Sequence, residues 1–189
     1  MTKHHCGKLI VISAPSGCGK TTIVERLLER NRDFERSVSY TTRSPRPGEV
    51  DGRDYFFISK EEFAAKKRKG FFIESAEVFG RFYGTSKAFV SERLAKGKKV
   101  VLAVDVQGME QLKTKARRKI PTVSIFIMPP SVAALKRRLA KRKTETKAEM
   151  AERLKMAQEE MASHSLYDFV VVNRKINEAV ETIEGIVKR

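Results

Sequence analysis

A glycine-rich segment near the start of the chain carries residue types that bind phosphate. It reads Ala14-Pro15-Ser16-Gly17-Cys18-Gly19-Lys20-Thr21, the P-loop pattern with alanine in place of the first glycine. Gly17 and Gly19 let backbone N–H groups turn towards an anion without a Cβ clash. Lys20 can reach the β and γ oxygens of a nucleoside triphosphate, and the Thr21 hydroxyl can bind Mg²⁺. We therefore predict an ATP site that comprises Ser16, Gly17, Cys18, Gly19, Lys20, Thr21 and Thr22.

The loop from Tyr40 to Gly48 is a second candidate anion site. It contains Arg43 and Arg46, and each guanidinium offers a planar fork that matches phosphate oxygens. Tyr55 and Tyr83 are the hydroxyl donors that we expect nearby. A P-loop together with a second phosphate site suggests a nucleoside monophosphate kinase. Taken alone, the two arginines would more often be surface charges.

Asp105 follows the apolar run Val100 to Val104 directly. An acid at the carboxyl end of a buried strand lies in the crevice where α/β sheets hold ligands. Such a carboxylate can meet Mg²⁺ directly or through water. The alternative is a residue that only caps the turn after the strand.

Short apolar runs that alternate with helical patterns predict the fold class. Helices lie between or after the runs, and this order favours an α/β fold with a parallel sheet covered on both sides. A strand, a glycine-rich turn and a helix follow one another around the P-loop, as that motif requires. The runs that we expect to be buried strands are Leu9 to Ile12, Val100 to Val104, Val123 to Met128 and Phe169 to Val172.

Two stretches interrupt this alternation of strands and helices. Residues 34–87 are rich in Ser, Thr, Pro, Gly and aromatic residues, with strand-like pieces at Tyr55 to Ile58 and Phe71 to Ile73, and we expect an acceptor-binding insert there. Residues 129–150 begin with a Pro-Pro pair, continue with a dense basic stretch, and predict a helical lid. The chain is then one domain, residues 1–189, whose core comprises residues 7–33, 88–128 and 151–189.

Composition bounds the class of protein. Lys and Arg number 39 against 23 Asp and Glu, and the net charge of +16 attracts polyanions. The basic runs mostly lack the interleaved aromatic residues that favour nucleic-acid binding, so solvated helix faces are the simpler interpretation. Residues 1–8 lack the apolar core of a signal peptide, and the two cysteines favour a reducing compartment. We expect a cytoplasmic protein that does not enter a membrane.

Longer motifs carry a family resemblance. The segment Thr41-Thr42-Arg43-Ser44-Pro45-Arg46-Pro47-Gly48-Glu49, combined with a P-loop, is highly specific, and the chain resembles guanylate kinases over roughly residues 8–187. The resemblance implies transfer of the γ-phosphoryl group of ATP to GMP, and to dGMP as well, with Mg²⁺ as cofactor. ADP and GDP would be the products, in purine nucleotide metabolism and GMP recycling. Further matching segments are Phe72-Ile73-Glu74, Phe82-Tyr83-Gly84-Thr85, Asp105-Val106-Gln107-Gly108, Pro129-Pro130-Ser131 and Thr144-Glu145-Thr146.

The resemblance also implies a role for each matching residue. Glu74 would accept hydrogen bonds from guanine N1 and N2, while Ser39 and Thr85 would meet the base from the other side. Asp105 would lie close to the base or to the metal, and Asn173 would touch adenine. The phosphate of GMP would be held by Arg43, Arg46, Tyr55 and Tyr83, and the catalytic residues would be Lys20, Arg43, Arg138, Arg142 and Arg153.

Two other functions compete with this hypothesis. Guanylate-kinase-like domains of scaffold proteins bind partner peptides without catalysis, but the intact Lys20-Thr21 pair argues against that function here. The net charge motivates the other alternative, a nucleic-acid-dependent ATPase. Our expectation is an enzyme whose partners are ATP and GMP, with no obligatory nucleic acid, as a monomer or a homodimer.

Overall fold

The computed structural model describes residues 7–115, 120–140 and 147–188. The chain divides into two compact units. The first comprises Met1–Leu9, Asp33–Leu102 and Gln107–Thr122, and the second comprises Ile10–Arg32, Ala103–Val106 and Val123–Arg189.

Strands and helices alternate along most of the described chain. The elements are, in order, β1 (Lys8–Ser13), α1 (Lys20–Arg30), β2 (Phe34–Arg36), β3 (Tyr40–Thr41), β4 (Phe56–Phe57), α2 (Lys60–Arg68), β5 (Phe72–Val78), β6 (Arg81–Ser86), α3 (Lys87–Ala95), β7 (Lys99–Ala103), α4 (Val106–Lys115), β8 (Thr122–Met128), α5 (Val132–Ala140), α6 (Lys147–Ala162), a 3-10 turn (Ser163–Leu166), β9 (Phe169–Val172) and α7 (Ile176–Val187).

A five-stranded parallel sheet forms the main layer, in the order β2-β7-β1-β8-β9. Phe34 pairs with Lys99 between β2 and β7, and Ile125 pairs with Phe169 between β8 and β9. The interior strands are built from apolar residues with no access to solvent, such as Leu9 to Ile12 in β1 and Ile125 to Ile127 in β8. The predicted α/β class with a parallel sheet is confirmed.

One predicted strand differs in its burial. We expected Phe169 to Val172 to be buried, but Phe169, Val170 and Val172 are 37%, 44% and 47% exposed, and only Val171 is buried. These side chains are exposed because β9 is an outer strand of the sheet, with a neighbouring strand on one side only. A short apolar run predicts a strand but does not distinguish a central strand from an edge strand.

A second sheet of four strands lies within the first unit, in the order β4-β3-β6-β5. Its longest pairing is the antiparallel hairpin of β5 and β6, in which Glu74 lies opposite Thr85. The connecting residues Phe79 and Gly80 both have positive φ, 50° and 68°, as a two-residue turn matched to the twist of the strands requires.

Aromatic side chains support this second sheet. Phe63, from α2, stacks on Phe72 of β5 at 4.5 Å between ring centroids and on Phe82 of β6 at 5.5 Å. Tyr40 of β3 stacks on Phe56 of β4 at 4.7 Å. These contacts fix the strands that carry most of the predicted acceptor-binding residues.

The helices of the second unit pack through apolar faces. α1 buries Ile23, Val24 and Leu27, while Leu28, predicted on the same face, is half-buried. α7 buries Val180, Ile183 and Val187 and packs against α1. Among the described helices, none has both the length and the hydrophobicity needed to span a membrane.

Candidate functional site

The predicted phosphate loop connects β1 to α1 in the second unit. Gly17 and Gly19 have φ values of 85° and 82°, in the left-handed region that favours glycine. A Cβ on Gly17 would lie 2.9 Å from Leu139 Cδ2, and one on Gly19 would lie 3.0 Å from Asn173 Nδ2. The loop tightens where the Cys18 N–H donates to the Pro15 carbonyl at 3.1 Å. The backbone conformation therefore favours glycine at these two positions, and the neighbouring side chains leave little room for a Cβ.

Lys20, the first residue of α1, extends towards the carboxyl end of β7. Its Nζ donates to the Val104 carbonyl oxygen at 3.0 Å, and the Val104 N–H donates to Ile12 of β1 at 3.2 Å. The next residue after Val104 is Asp105. Thr21 and Thr22 are exposed in the first turn of α1. The structure thus places the lysine at the strand ends where α/β sheets bind ligands.

Cys18 is fully buried within the loop. Burial raises the pKa of its thiol to about 12, although the charges of Arg138 and Lys20 oppose the shift. A thiol with such a pKa stays protonated near neutral pH and is a poor nucleophile. Its place in the loop is therefore that of a small packed residue.

Asn173, predicted to touch adenine, joins the end of β9 to the phosphate loop. Its Nδ2 donates to the Cys18 carbonyl at 2.8 Å, and its own carbonyl accepts a hydrogen bond from Arg138 Nη2 at 3.0 Å. Its side chain is 1% exposed, and its Oδ1 has no hydrogen-bond partner among the described residues. That oxygen is therefore an acceptor whose hydrogen-bonding capacity is unused among the described residues.

Of the three catalytic arginines predicted after residue 129, the structure describes Arg138 and Arg153. Arg138 contacts Asn173, and Arg153 of α6 donates from Nη1 to the Ser16 hydroxyl at 3.4 Å. Both guanidiniums therefore lie beside the phosphate loop. Arg142 lies outside the described residues.

Glu160 is a charged residue at this loop that sequence reasoning missed. Its carboxylate accepts a hydrogen bond from the Ser16 backbone N–H. Burial raises its pKa, the Lys20 charge lowers it, and the Asp105 charge raises it further. Helical spacing is a signal that could have found it, because Glu160 follows Arg153 by seven residues and shares its face of α6.

In the first unit, Arg43 lies at the centre of a polar and aromatic cluster. Its Nη2 donates to both carboxylate oxygens of Glu49, at 2.8 and 2.9 Å. Its guanidinium lies 5.3 Å from the centroid of the Tyr55 ring, and that ring is 6.0 Å from the Tyr83 ring. The structure therefore brings together three of the four residues predicted to hold the acceptor phosphate.

Arg43 and Glu49 stabilise each other's charged forms. Burial favours the neutral form of Arg43, but the hydrogen bond and charge of Glu49 outweigh it, so the pKa of Arg43 is raised. Burial also disfavours the Glu49 carboxylate, yet its hydrogen bonds from Arg43 and from the Arg46 N–H hold its pKa below the usual value. Burial raises the pKa of Tyr55. Both members of the pair therefore keep their charges, and Tyr55 remains a hydroxyl donor.

Arg46, the fourth of these residues, has an exposed side chain. Its backbone is held in place because its N–H donates to Glu49 Oε2 at 2.7 Å. Glu49 thus organises both arginines of the loop, a role that the sequence did not reveal. Its position six residues after Arg43 and three after Arg46 is the only signal.

The residues predicted to read a base lie on neighbouring strands. Glu74 of β5 is 4% exposed, and Thr85 of β6, directly opposite, is 1% exposed. The hydroxyl of Thr85 has no hydrogen-bond partner among the described residues. Ser39 immediately precedes β3, which pairs with β6 between Tyr40 and Gly84. A buried carboxylate and a buried hydroxyl on adjacent strands are suited to a polar ligand edge.

Within residues 7–115, 120–140 and 147–188, no group of three or more His, Cys, Asp or Glu side chains could hold a metal ion. The exposed Thr21 hydroxyl and the nearby Asp105 remain as oxygen donors. This sparse set suits Mg²⁺, which usually keeps several waters and binds through nucleotide phosphates.

Comparisons with known proteins agree with one another. The family model described as guanylate kinase matches residues 6–189. A guanylate kinase from Clostridium tetani (strain Massachusetts / E88) is 49% identical over 96% of this chain and 85% of its own length. Another, from a Wolbachia of Brugia malayi (strain TRS), is 47% identical over 97% of this chain and 93% of its own. The crystal structure of guanylate kinase from Anaplasma phagocytophilum has a TM-score of 0.82 at 38% identity, and covers 97% of this chain and 85% of that one.

Proposed function

Since the chain belongs to the guanylate kinase family, we propose how its own residues carry out the reaction of that family. The family consists of nucleoside monophosphate kinases that transfer the γ-phosphoryl group of ATP to GMP, and this chain is such an enzyme. The assignments of single residues, of the metal and of the setting are proposals.

ATP binds to the phosphate loop of the second unit. Backbone N–H groups of Ser16 to Gly19 surround the phosphates at the start of α1, where the helix dipole favours anions. Lys20 exchanges its hydrogen bond with Val104 for the β and γ oxygens. Asn173 accepts a hydrogen bond from the 6-amino group of adenine, and the support for this role is that its Oδ1 has no partner among the described residues. Thr22 completes the set at the exposed first turn.

The Thr21 hydroxyl would hold Mg²⁺, a cation that usually keeps several waters and binds with nucleotide phosphates. Asp105, the residue after Val104, would act through water. When bound, the ion neutralises charge on the β and γ phosphates. The exposed position of Thr21 fits such a site.

GMP binds to the second sheet. Its phosphate is held by Arg43, Arg46, Tyr55 and Tyr83, and the hydrogen bonds of Arg43 to the Glu49 carboxylate are of the type that it would make with phosphate oxygens. Its base is read by Glu74, Ser39 and Thr85. Guanine offers adjacent N1–H and N2–H donors to a carboxylate, whereas adenine offers an acceptor at N1. A site built to accept hydrogen bonds from N–H groups rejects a base that lacks them.

Phosphoryl transfer needs alignment of donor and acceptor and neutralisation of the moving charge. Lys20 supplies charge at the γ-phosphate, and Arg43 positions the acceptor phosphate. Arg138, Arg142 and Arg153 act on the phosphates of ATP and exclude water that would hydrolyse it. The hydrogen bonds of Arg138 and Arg153 beside the phosphate loop support this assignment.

The remaining expectations stay proposals. We expect dGMP to serve as an acceptor, because none of the proposed contacts involves the 2′-hydroxyl. The enzyme works in the cytoplasm, in purine nucleotide metabolism, as a monomer or homodimer, without a membrane or an obligatory nucleic acid. The partition into a core, an insert at residues 34–87 and a lid at residues 129–150 also stays a prediction.

The buried Glu74, opposite the unpartnered hydroxyl of Thr85, carries the proposal for base recognition. Glu74→Ala removes the acceptor for two N–H donors, and we expect the KM for GMP to rise roughly 100-fold. The KM for ATP should stay within about twofold, because ATP makes no contact with Glu74. Steady-state kinetics with each substrate varied in turn measure both constants.

Glu77→Ala is the matched control. Glu77 lies on the same strand, three residues along, and its side chain is exposed. This variant should keep both KM values. An equal rise in the KM for GMP and for ATP in Glu74→Ala, or a rise of the same size in Glu77→Ala, would move base recognition away from Glu74.

A further inference from the structure

Two glutamines of α4 bind the backbone of β5 along its outer edge. Gln111 Nε2 donates to the Ser75 carbonyl at 2.6 Å, and the Ser75 N–H donates to Gln111 Oε1 at 3.1 Å. Gln107 Nε2 donates to the Glu77 carbonyl at 3.0 Å. The side chains thus satisfy backbone groups that a further strand would otherwise pair, since β5 is an outer strand of its sheet.

The spacing of helix and strand explains why this arrangement fits. Gln107 and Gln111 are four residues apart and share one face of α4, separated by about 6 Å along its axis. Ser75 and Glu77 are two residues apart in β5, about 6.6 Å, and their backbone groups point to the same edge. The two periods match closely enough for both amides to reach their partners.

The contact of Gln111 lies beside the proposed base-reading residue. Glu74 directly precedes Ser75, and the pairing of β5 with β6 shifts its register between Phe72 and Glu74. An irregular ladder fixes the backbone less firmly on that side. The paired hydrogen bonds of Gln111 supply a second constraint, on the residue that follows Glu74.

We propose that Gln111 is a positioning residue for guanine recognition, which holds the backbone of Ser75 so that the Glu74 carboxylate faces the Watson–Crick edge of the base. The inference rests on the proposed function of Glu74. Gln111 touches neither nucleotide, and its contribution is the direction of a buried carboxylate. A misdirected carboxylate binds guanine less well and discriminates less against a base that lacks the N2 amino group.

The competing explanation is that both glutamines only attach α4 to β5. Substitution of Gln107 distinguishes this explanation from a positioning role of Gln111. Gln107 makes the same kind of bond to the same strand, but three residues from Glu74. If the amides only attach the helix, Gln107→Leu and Gln111→Leu lower stability and leave acceptor selection alone. If Gln111 positions Glu74, only Gln111→Leu changes selection.

The experiment measures kcat and KM for GMP, KM for ATP, and the ratio of kcat/KM for GMP over IMP, which lacks the N2 amino group. For Gln111→Leu we expect a roughly tenfold rise in the KM for GMP and a roughly tenfold fall in the ratio, with kcat and the KM for ATP within about twofold. Gln107→Leu should keep all four values. Melting temperatures of both variants report the structural contribution. Unchanged selection in Gln111→Leu, or equal changes in both variants, overturns the proposal.

A second variant decides the matter if Gln111→Leu does not fold. Gln111→Glu keeps the size and the acceptor for the Ser75 N–H but cannot donate to the Ser75 carbonyl, so the same change in the ratio is expected. An unchanged ratio in that variant overturns the proposal. Glu74→Ala, measured alongside, distinguishes failure of base recognition by Glu74 from failure of positioning by Gln111. A normal KM for GMP in Glu74→Ala overturns base recognition by Glu74. A high KM for GMP in Glu74→Ala, with normal selection in the Gln111 variants, overturns only the positioning role.

Discussion

At the scale of single residues, the carboxyl group of Glu160 lies at the phosphate loop, where we propose that the phosphates of ATP bind. Glu160 accepts the Ser16 N–H, one of the donors that we assign to ATP, and it interacts with the charge of Lys20. Burial raises its pKa, so removing its proton in the folded protein costs more than in water. Binding of a polyanion beside it would add to that cost.

The raised pKa of Glu160 predicts a pH-dependent stability. The folded protein holds this proton more tightly than the unfolded chain, so stability falls as pH rises from the ordinary value of 4.5 through the raised pKa. Glu160→Gln removes this dependence, and the free energy of unfolding of the variant relative to wild type should increase with pH across that window. Urea unfolding at a series of pH values measures the difference.

Glu159→Gln is the control, because Glu159 is an exposed neighbour on the same helix. Its stability should follow that of the wild type at every pH. Parallel curves for wild type and Glu160→Gln would show that Glu160 keeps an ordinary pKa.

The site residues that the sequence could predict are those whose types and spacing define a motif. The phosphate loop is such a case, since its glycines, lysine and threonine are adjacent in the chain. Glu49 and Glu160 could not be predicted from their types, because an acid acquires a role only from the partner that folding brings to it. Gln111 is similar, since its partner Ser75 lies 36 residues away.

At the scale of elements, the apolar runs predicted the central strands because interior strands of a parallel sheet are apolar on both faces. They failed for the burial of β9, since Phe169, Val170 and Val172 are as apolar as residues of a central strand. The full hairpin of β5 and β6 was also missed. Its turn is Phe79-Gly80, without the Asn-Gly or Asp-Gly signal that usually marks such a turn.

The packing of α7 against α1 depends on one buried polar contact as well as on apolar faces. Asn31 Nδ2 donates to Glu184 Oε1 at 2.7 Å, and Arg30 Nη2 lies 3.2 Å from Glu184 Oε2. Glu184→Ala leaves a buried N–H unpaired, and we expect a loss of about 1–3 kcal/mol in the free energy of unfolding. Chemical denaturation measures this loss.

Glu181→Ala provides the comparison on the same helix. Glu181 is exposed, and its oxygen is 3.7 Å from Arg30, so its removal should change stability by no more than about 0.5 kcal/mol. Equal losses in the two variants would mean that the buried contact with Asn31 contributes nothing beyond an exposed ion pair.

At the scale of the whole molecule, the net charge of +16 agrees with a protein that binds anionic substrates. Part of the positive charge is locally paired, since Lys98 and Arg93 lie within 3.3 Å of Glu35, and Lys99 lies 3.0 Å from Asp33. Most of these partners are half-buried at the surface, where ion pairs typically add little stability. The surplus charge raises the local concentration of nucleotides, but by itself it does not distinguish GMP from any other anion, so selection must come from the base.

The initial rate of ADP formation from ATP and Mg²⁺, measured with GMP, AMP, CMP and UMP in turn, tests the central claim most directly. Lys20→Ala protein prepared in the same way is the blank, because it lacks the ammonium that we place at the γ-phosphate. We predict a rate with GMP at least roughly 100-fold above that with any other acceptor, and a rate near background in Lys20→Ala. Comparable rates with GMP and AMP, a Lys20→Ala rate close to wild type, or ATP turnover that responds to RNA and not to GMP would contradict the account.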